Sequence, residues 1–211
     1  MRVIIAGGKG VGEAIAKELL GEGHEVTVID SAPEVCEHLL TEHPELSILC
    51  GDVTNPKLLE EAGIKNADAF IAVTERDDIN VITAMLAKKY GVEKIILSIR
   101  HPVYREICEM LELKTVVDLF ESAAIRIRML LEGEALLELE KCIGRDFDLK
   151  EKVVTKGDQG KKITEILAED EYPIVVLRKK DALIPETNLI LEEGDKVVYI
   201  KKRKKPSLLH F

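Results

Sequence analysis

Hydrophobic and polar positions along the chain follow two different periods. Short continuous apolar runs recur: "RVIIA" (Arg2–Ala6), "EVTVID" (Glu25–Asp30), "LSILC" (Leu46–Cys50), "AFIAV" (Ala69–Val73), "KIILSI" (Lys94–Ile99) and "KTVVD" (Lys114–Asp118). Each has the length and continuity of a strand buried on both faces. Between them the spacing is helical. Val11, Ile15 and Leu19 recur every four residues until "GEG" (Gly21–Gly23) ends the helix. Pro33 suits a first helical turn before "EVCEHLLTEH", and Asn55 and Pro56 supply an N-cap and first helical residue before "KLLEEAG". "DDINVITAMLAKKYG" (Asp77–Gly91) is a helix closed by glycine, Pro102 opens another, and "LFESAAIRIRMLLEG" (Leu119–Gly133) is a final amphipathic helix. Parallel strands need helical crossovers, so the alternation predicts an α/β fold over residues 1–133: a doubly wound, parallel, six-stranded Rossmann-like sheet.

The pattern changes from about Leu136. "ALLELEKCI" (Ala135–Ile143), "YPIVVLRK" (Tyr172–Lys179), "DALIPET" (Asp181–Thr187) and "DKVVYIKK" (Asp195–Lys202) read as paired strands. Asp181 and Gly194–Asp195 are turn signals, and "GKKITEILAE" (Gly160–Glu169) is a short helix. Residues 136–203 thus form a small α+β domain, followed by a basic tail at 204–211. So small a domain buries little surface and gains by pairing with a copy of itself.

Composition narrows the function. With 46% hydrophobic and 33% charged residues the chain can build a core. Aromatics at 4% with no Trp disfavour a stacking platform for single strands, and a net charge of −9 argues against general nucleic-acid binding. "KKRKK" (Lys201–Lys205) is either a solvated terminus or a contact for phosphate or anionic lipid. There is no apolar run long enough for a membrane span, and the chain enters a strand at once, so no signal peptide is expected. Cys36, Cys50, Cys108 and Cys142 are scattered without a C-x-x-C, and the histidines lack metal-ligand spacing. Cys50, ending an apolar run, is expected to be a small buried hydrophobe. These features suit a reduced, cytoplasmic protein.

Candidate chemistry gathers at the carboxyl ends of the strands. Gly7, Gly8, Lys9, Gly10, Val11 and Gly12 join the first strand to the first helix, where amide groups and the helix dipole favour an anion. Asp30, with Ser31 beside it, ends the second strand; a carboxylate there accepts from both ribose hydroxyls and repels a 2′-phosphate, which disfavours NADP. Lys9 stands where a dinucleotide loop carries its middle glycine. Either its amine neutralises a phosphate, or the loop keeps its turn and binds nothing. Gly51, Asp52 and Val53 follow the third strand, and Val73, Thr74 and Glu75 the fourth. Asp52 could reach a base amino group or cap the next helix. Glu75, Asp77 and Asp78 mark either a cation site or acids complementing a helix dipole.

Taken together, "RVIIAGGKGVG…VTVID", "GDVT", "AVTERDDIN…AKKYGVEKII", "HPVY" and the final helix resemble the N-terminal RCK domain of Trk/Ktr potassium-uptake regulatory subunits. "GKKITEI" and "YPIVVLRKKDALIPETNLILEEGDKVVYI" are similar to the small C-terminal RCK (TrkA-C) domain. The resemblance implies a cytoplasmic regulatory subunit that binds an adenine nucleotide, NAD(H) or ATP/ADP. It further implies a ring, often octameric, built of one subunit or mixed with a second RCK subunit, at the inner face of the membrane under a potassium channel or transporter subunit that it gates. Carried over, Gly7–Gly12 would hold phosphates, Asp30 the ribose, Asp52 the adenine side, and Val73–Thr74 the rim. The sequence departs from the family at two places. The loop has Lys9 before Gly10 where the family has glycine before a basic residue. Ser98 stands where the family strand carries arginine, and Val103 where it carries glutamate.

Two rival readings are a stand-alone nucleotide sensor and an NAD-dependent oxidoreductase. The enzyme needs an acid–base group from a substrate domain. The small domain has no histidine before His210, and Cys142 sits in an apparent strand. No catalytic or metal site is expected.

Overall fold

The structure, a computed structural model, describes residues 1–133, 138–139, 141–143 and 146–203. The chain forms two compact units, residues 1–126 and 127–211.

In the first unit six strands, β1 (Arg2–Ala6), β2 (Glu25–Asp30), β3 (Ser47–Cys50), β4 (Ala69–Ala72), β5 (Lys94–Ile99) and β6 (Val116–Asp118), form one sheet in the order β3-β2-β1-β4-β5-β6. Every pairing is parallel. The crossovers are α1 (Val11–Gly21), α2 (Pro33–Glu42), α3 (Pro56–Glu61), α4 (Asp77–Lys89) and α5 (Val103–Met110), and α6 (Leu119–Glu132) follows β6. The expected doubly wound α/β fold is present.

Side chains alternate across the sheet, and both faces are covered. One core holds Ile4, Ile29, Phe70, Leu97 and Ile99 beneath α3, α4 and α5. The other holds Val3, Ile5, Val26, Val28 and Ile71 with Ala16 of α1 and Leu39 of α2. Phe70, fully buried, contributes roughly 2–3 kcal/mol by burial alone. The expected helix starts are realised: Pro33 opens α2, and Asn55 Oδ1 accepts from the Lys57 amide at 3.0 Å. Strand order reverses between β1 and β4, so the crevice of such a sheet opens at their carboxyl ends.

The second unit carries an antiparallel sheet in the order β7-β10-β8-β9, from β7 (Phe147–Val153), β8 (Glu171–Arg178), β9 (Asp181–Leu183) and β10 (Lys196–Lys202). The one-turn helix α7 (Ile163–Ile166) lies within the predicted helical stretch. Val154, Ile163, Ile166, Val176, Leu191 and Val197 form its core. Asp195, nearly fully buried, is gripped by Arg178 at 2.8 and 2.9 Å and accepts from the Glu192 amide.

One strand assignment is corrected. In "ALLELEKCI" the described residues 138–139 and 141–143 are helical, and the strand that pairs with β10 is β7. The remainder of that segment and residues 204–211, with Lys204, Lys205 and His210, lie outside the described residues. Lys201 and Lys202 end β10, where Lys201 pairs with Asp170 and Glu171.

Candidate functional site

The loop from Gly7 to Gly12 turns sharply out of β1. The Gly7 amide donates to the Ile29 carbonyl at 2.8 Å, which ties the loop to β2. A Cβ on Gly12 would lie 1.8 Å from the Gly7 carbonyl oxygen, so the turn closes only around glycine. The positive φ values that this turn requires, 100° and 58°, fall at Gly7 and at Gly10, the N-cap of α1, where no side chain caps the helix. Lys9 is not among the residues with positive φ. The reversed Lys9–Gly10 order is therefore consistent with the backbone: glycine sits where the positive φ falls. The lysine amine reaches outward to Glu75 Oε1, 3.6 Å away, with both side chains exposed. The uncapped end of α1 presents amide groups and the positive end of the helix dipole. Val11 is exposed there.

Asp30 faces this loop. Its Oδ2 accepts from the Gly8 amide at 2.7 Å and its Oδ1 from the Ala32 amide at 2.9 Å. Each oxygen retains a lone pair for a further donor. Ser31 is exposed beside it. The Asp30 carbonyl accepts from the Gly51 amide at 2.8 Å, which sets the next loop alongside. There Asp52 does not cap the following helix, a role that Asn55 fills. Its Oδ1 accepts from the Thr54 amide and hydroxyl at 2.9 and 2.8 Å, and these donors hold its carboxyl below the usual range. Val53 is buried in the core under α3 and α4, and Val73 in the opposite core, so both supply backbone rather than side chain to the crevice.

The fourth strand's loop is fastened by a residue that the sequence did not single out. Asn80 is fully buried. Its Oδ1 accepts from the Thr74 amide at 2.8 Å and hydroxyl at 2.7 Å. Its Nδ2 donates to the Thr74 carbonyl at 3.1 Å and to the Ser98 carbonyl and hydroxyl at 3.1 and 3.3 Å. Ser98 is consequently buried and engaged with Asn80, whereas Arg100, two residues on, donates to the Thr74 carbonyl at 2.8 Å. A positive side chain thus stands at this rim from a neighbouring position. The available signal was an amide at the fourth position of a helix, on the face turned towards the sheet.

The three carboxylates after β4 separate. Glu75 turns to Lys9, and Asp78 pairs with Arg76. Asp77 is buried; it accepts from the Arg100 and His101 amides, each at 3.0 Å, and lies 2.8 Å from the His101 ring. They do not converge, and no cluster able to hold a metal ion occurs among the described residues. Two surface cavities lie away from the loop. One of about 400 Å³ opens at the amino ends of β1 and β2, beside Arg2, His24 and Glu25; an apolar one of about 600 Å³ is lined by Ile82, Met85 and Leu86 of α4. No helix among the described residues is long and apolar enough to cross a membrane.

A family profile described as "TrkA-N domain" matches residues 3–119. The "Trk system potassium uptake protein TrkA homolog" of Methanothermobacter thermautotrophicus is 30% identical over 204 residues, covering 96% of this chain and 94% of that protein. Among solved structures, "GsuK channel bound to NAD" superposes with a TM-score of 0.51 at 16% identity, covering 96% of this chain and 37% of the other. "Shewanella denitrificans Kef CTD in AMP bound form" gives 0.56 at 21% identity, covering 67% and 88%. At these identities the structural likeness speaks for the fold.

Proposed function

We propose that this chain, which belongs to the TrkA-N domain family, is a nucleotide-sensing regulatory subunit of a membrane potassium channel or transporter. The observation that carries the reading is the bond from the Gly8 amide to Asp30. It sets a ribose-type acceptor against the uncapped end of α1, so that one adenine nucleotide spans both. Its phosphates lie against the loop between Gly8 and Gly12, at the N-terminus of α1, its ribose hydroxyls on Asp30 beside Ser31, and its base along Gly51–Asp52. Val73, Thr74 and Glu75 form the opposite rim, and Arg100 supplies the charge that Ser98 does not. Asp30 disfavours a 2′-phosphate by charge repulsion, so NAD(H) or ATP/ADP is favoured over NADP. The relatives' names and the NAD and AMP in the titles of two structural neighbours support this reading.

The subunit regulates rather than catalyses. It assembles as a ring of its own copies or mixed with a second such subunit, at the cytoplasmic face beneath its membrane partner. A nucleotide that binds one ring conformation more tightly shifts the population by that difference in affinity and no more. Exposed Ile82 of α4 and Leu130 of α6 supply apolar surface for assembly.

The test is threefold: light scattering of the full chain, calorimetry with NAD⁺, NADH, ADP and ATP, and rubidium uptake by cells with and without the chain. An oligomer larger than a dimer, a bound adenine nucleotide and nucleotide-dependent uptake are expected. A monomer at micromolar concentration that binds none of the four overturns the reading. Turnover of NADH with a substrate would favour the oxidoreductase alternative.

A further inference from the structure

Two thiols meet behind the carboxylate assigned to the ribose. Asp30 of β2 is the register partner of Cys50, the last residue of the edge strand β3. The Asp30 carbonyl oxygen accepts both from the Cys36 thiol, at 3.5 Å, and from the amide of Gly51, the residue bonded to Cys50, at 2.8 Å. The faces agree. Val28 and Ile48 point into the core that α2 covers with Val35 and Leu39, and alternation sends Asp30 and Cys50, two residues further along each strand, to that same side. Cys36 is the α2 residue facing them. It is buried, whereas Cys50 is exposed, which overturns the expectation that Cys50 is a small buried hydrophobe: an edge strand has nothing beyond it to cover its last side chain.

We infer that Cys36 and Cys50 form a redox-modifiable dithiol, oxidised by small-molecule disulfides to a bridge that ties α2 to the end of β3. Exposed Cys50 is the entry point. Its thiolate attacks one sulfur of the reagent; the reagent's S–S bond breaks, one thiolate leaves, and a mixed disulfide forms on Cys50. The Cys36 sulfur then attacks the Cys50 sulfur, loses its proton to solvent and displaces the second thiolate. Two protein thiols are oxidised and one reagent disulfide is reduced to two thiols. Resolution is the slow step. Burial, and then the neighbouring Cys50 thiol and Asp30, push the Cys36 thiol up to about 12, so little of it is thiolate at neutral pH.

The bridge closes the loop of residues 36–50, both ends of which sit on the Asp30 carbonyl, and it takes away the Cys36 S–H that donates to that oxygen. Oxidation therefore reaches the adenosine end of the crevice, a consequence that rests on the function proposed above. A nucleotide lying along Asp30, Gly51 and Asp52 covers Cys50 and slows its modification.

The test treats the full chain with glutathione disulfide, with and without saturating NAD⁺ or AMP, and follows intact mass and cross-linked peptides. The expected product is lighter than the reduced chain by two hydrogen atoms, with Cys36 joined to Cys50. C36A and C36S should each stop at a glutathione adduct on Cys50, and C50S should leave Cys36 unmodified. A wild-type chain that stops at the Cys50 adduct, or that links either cysteine to Cys108, Cys142 or a second chain, overturns the inference. Bridging slowed several-fold by nucleotide supports both readings. Bridging at one rate in both conditions upholds the dithiol and counts against the nucleotide placement alone.

Discussion

The Gly8 amide donates to the Asp30 carboxylate at 2.7 Å, so the loop assigned to phosphate and the residue assigned to ribose are joined before any ligand arrives. Asp30 has two tasks, holding the loop and accepting from the ligand. Asp30→Ala should weaken adenine-nucleotide binding by about 1–3 kcal/mol, the cost of leaving charge-assisted bonds unmade. Calorimetry measures this. Equal affinity in wild type and mutant would place the ribose elsewhere.

Lys9 and Glu75 are partners across the mouth of the crevice, and both are exposed. Such a pair adds little to stability and breaks easily. A phosphate that recruits the Lys9 amine must take it from Glu75. Glu75→Gln should therefore tighten binding of di- and triphosphates, and Lys9→Gly should weaken it and flatten its salt dependence. Tighter binding by Lys9→Gly would mean that the lysine obstructs the loop.

The glycines of the loop differ in what they tolerate. Gly12→Ala places a Cβ 1.8 Å from a backbone oxygen and should disrupt the loop, with a large fall in melting temperature. Around Gly10 nothing lies within 4 Å of an added Cβ, so Gly10→Ala meets only the backbone conformation there, φ 58° with ψ −100°, which L residues rarely adopt, at about 1–3 kcal/mol. Thermal unfolding of the two variants should separate them in that order.

Asn80→Ala removes the acceptor of the Thr74 amide and the donor to Ser98 together. With these groups left buried, a loss of about 3 kcal/mol is expected. Urea denaturation reads it, and a loss well below 1 kcal/mol would mean that water reaches the gap.

The Arg178 guanidinium beside Asp195 holds that carboxyl below its usual range. The group's unfolded value is about 3.9, so its contribution is complete above about pH 4 and is lost as the pH falls through the lower, folded value. Hydrogen exchange of β8 and β10 should accelerate below that point. Asp195→Asn should remove this acid step and cost about 3 kcal/mol at neutral pH.

The parallel sheet was legible because strands covered on both faces leave unbroken apolar runs, as in "RVIIA" and "AFIAV". β7 was not. Its sequence, "FDLKEKV", alternates at the rim of a small sheet where Leu149 and Val153 remain half exposed, and the more apolar "ALLELEKCI" upstream outweighed it. Asp30 and the glycine loop could be read from their positions at strand ends. Asn80, and the inward turn of Asp77, depend on what β5 presents across the sheet, which no local pattern encodes. The exposure of Cys50 likewise follows from strand order, since β3 lies at the edge.

Asn80 and Asp77 give the two sides of the crevice unlike stiffness. On the β4 and β5 side, buried side chains bolt one loop to the next, so a displacement of Thr74 drags Ser98 and Arg100 with it. On the β2 and β3 side, Asp52 is held by Thr54 of its own turn and can swing with it, while Asp30 is tied to main-chain amides, of Ala32 beside it and of Gly8 in the glycine loop. A ligand thus presses against an anvil on one side and a spring on the other. Such a vice would grade nucleotides by the number and placement of their phosphates more sharply than by the base, whose end sits on the side that yields.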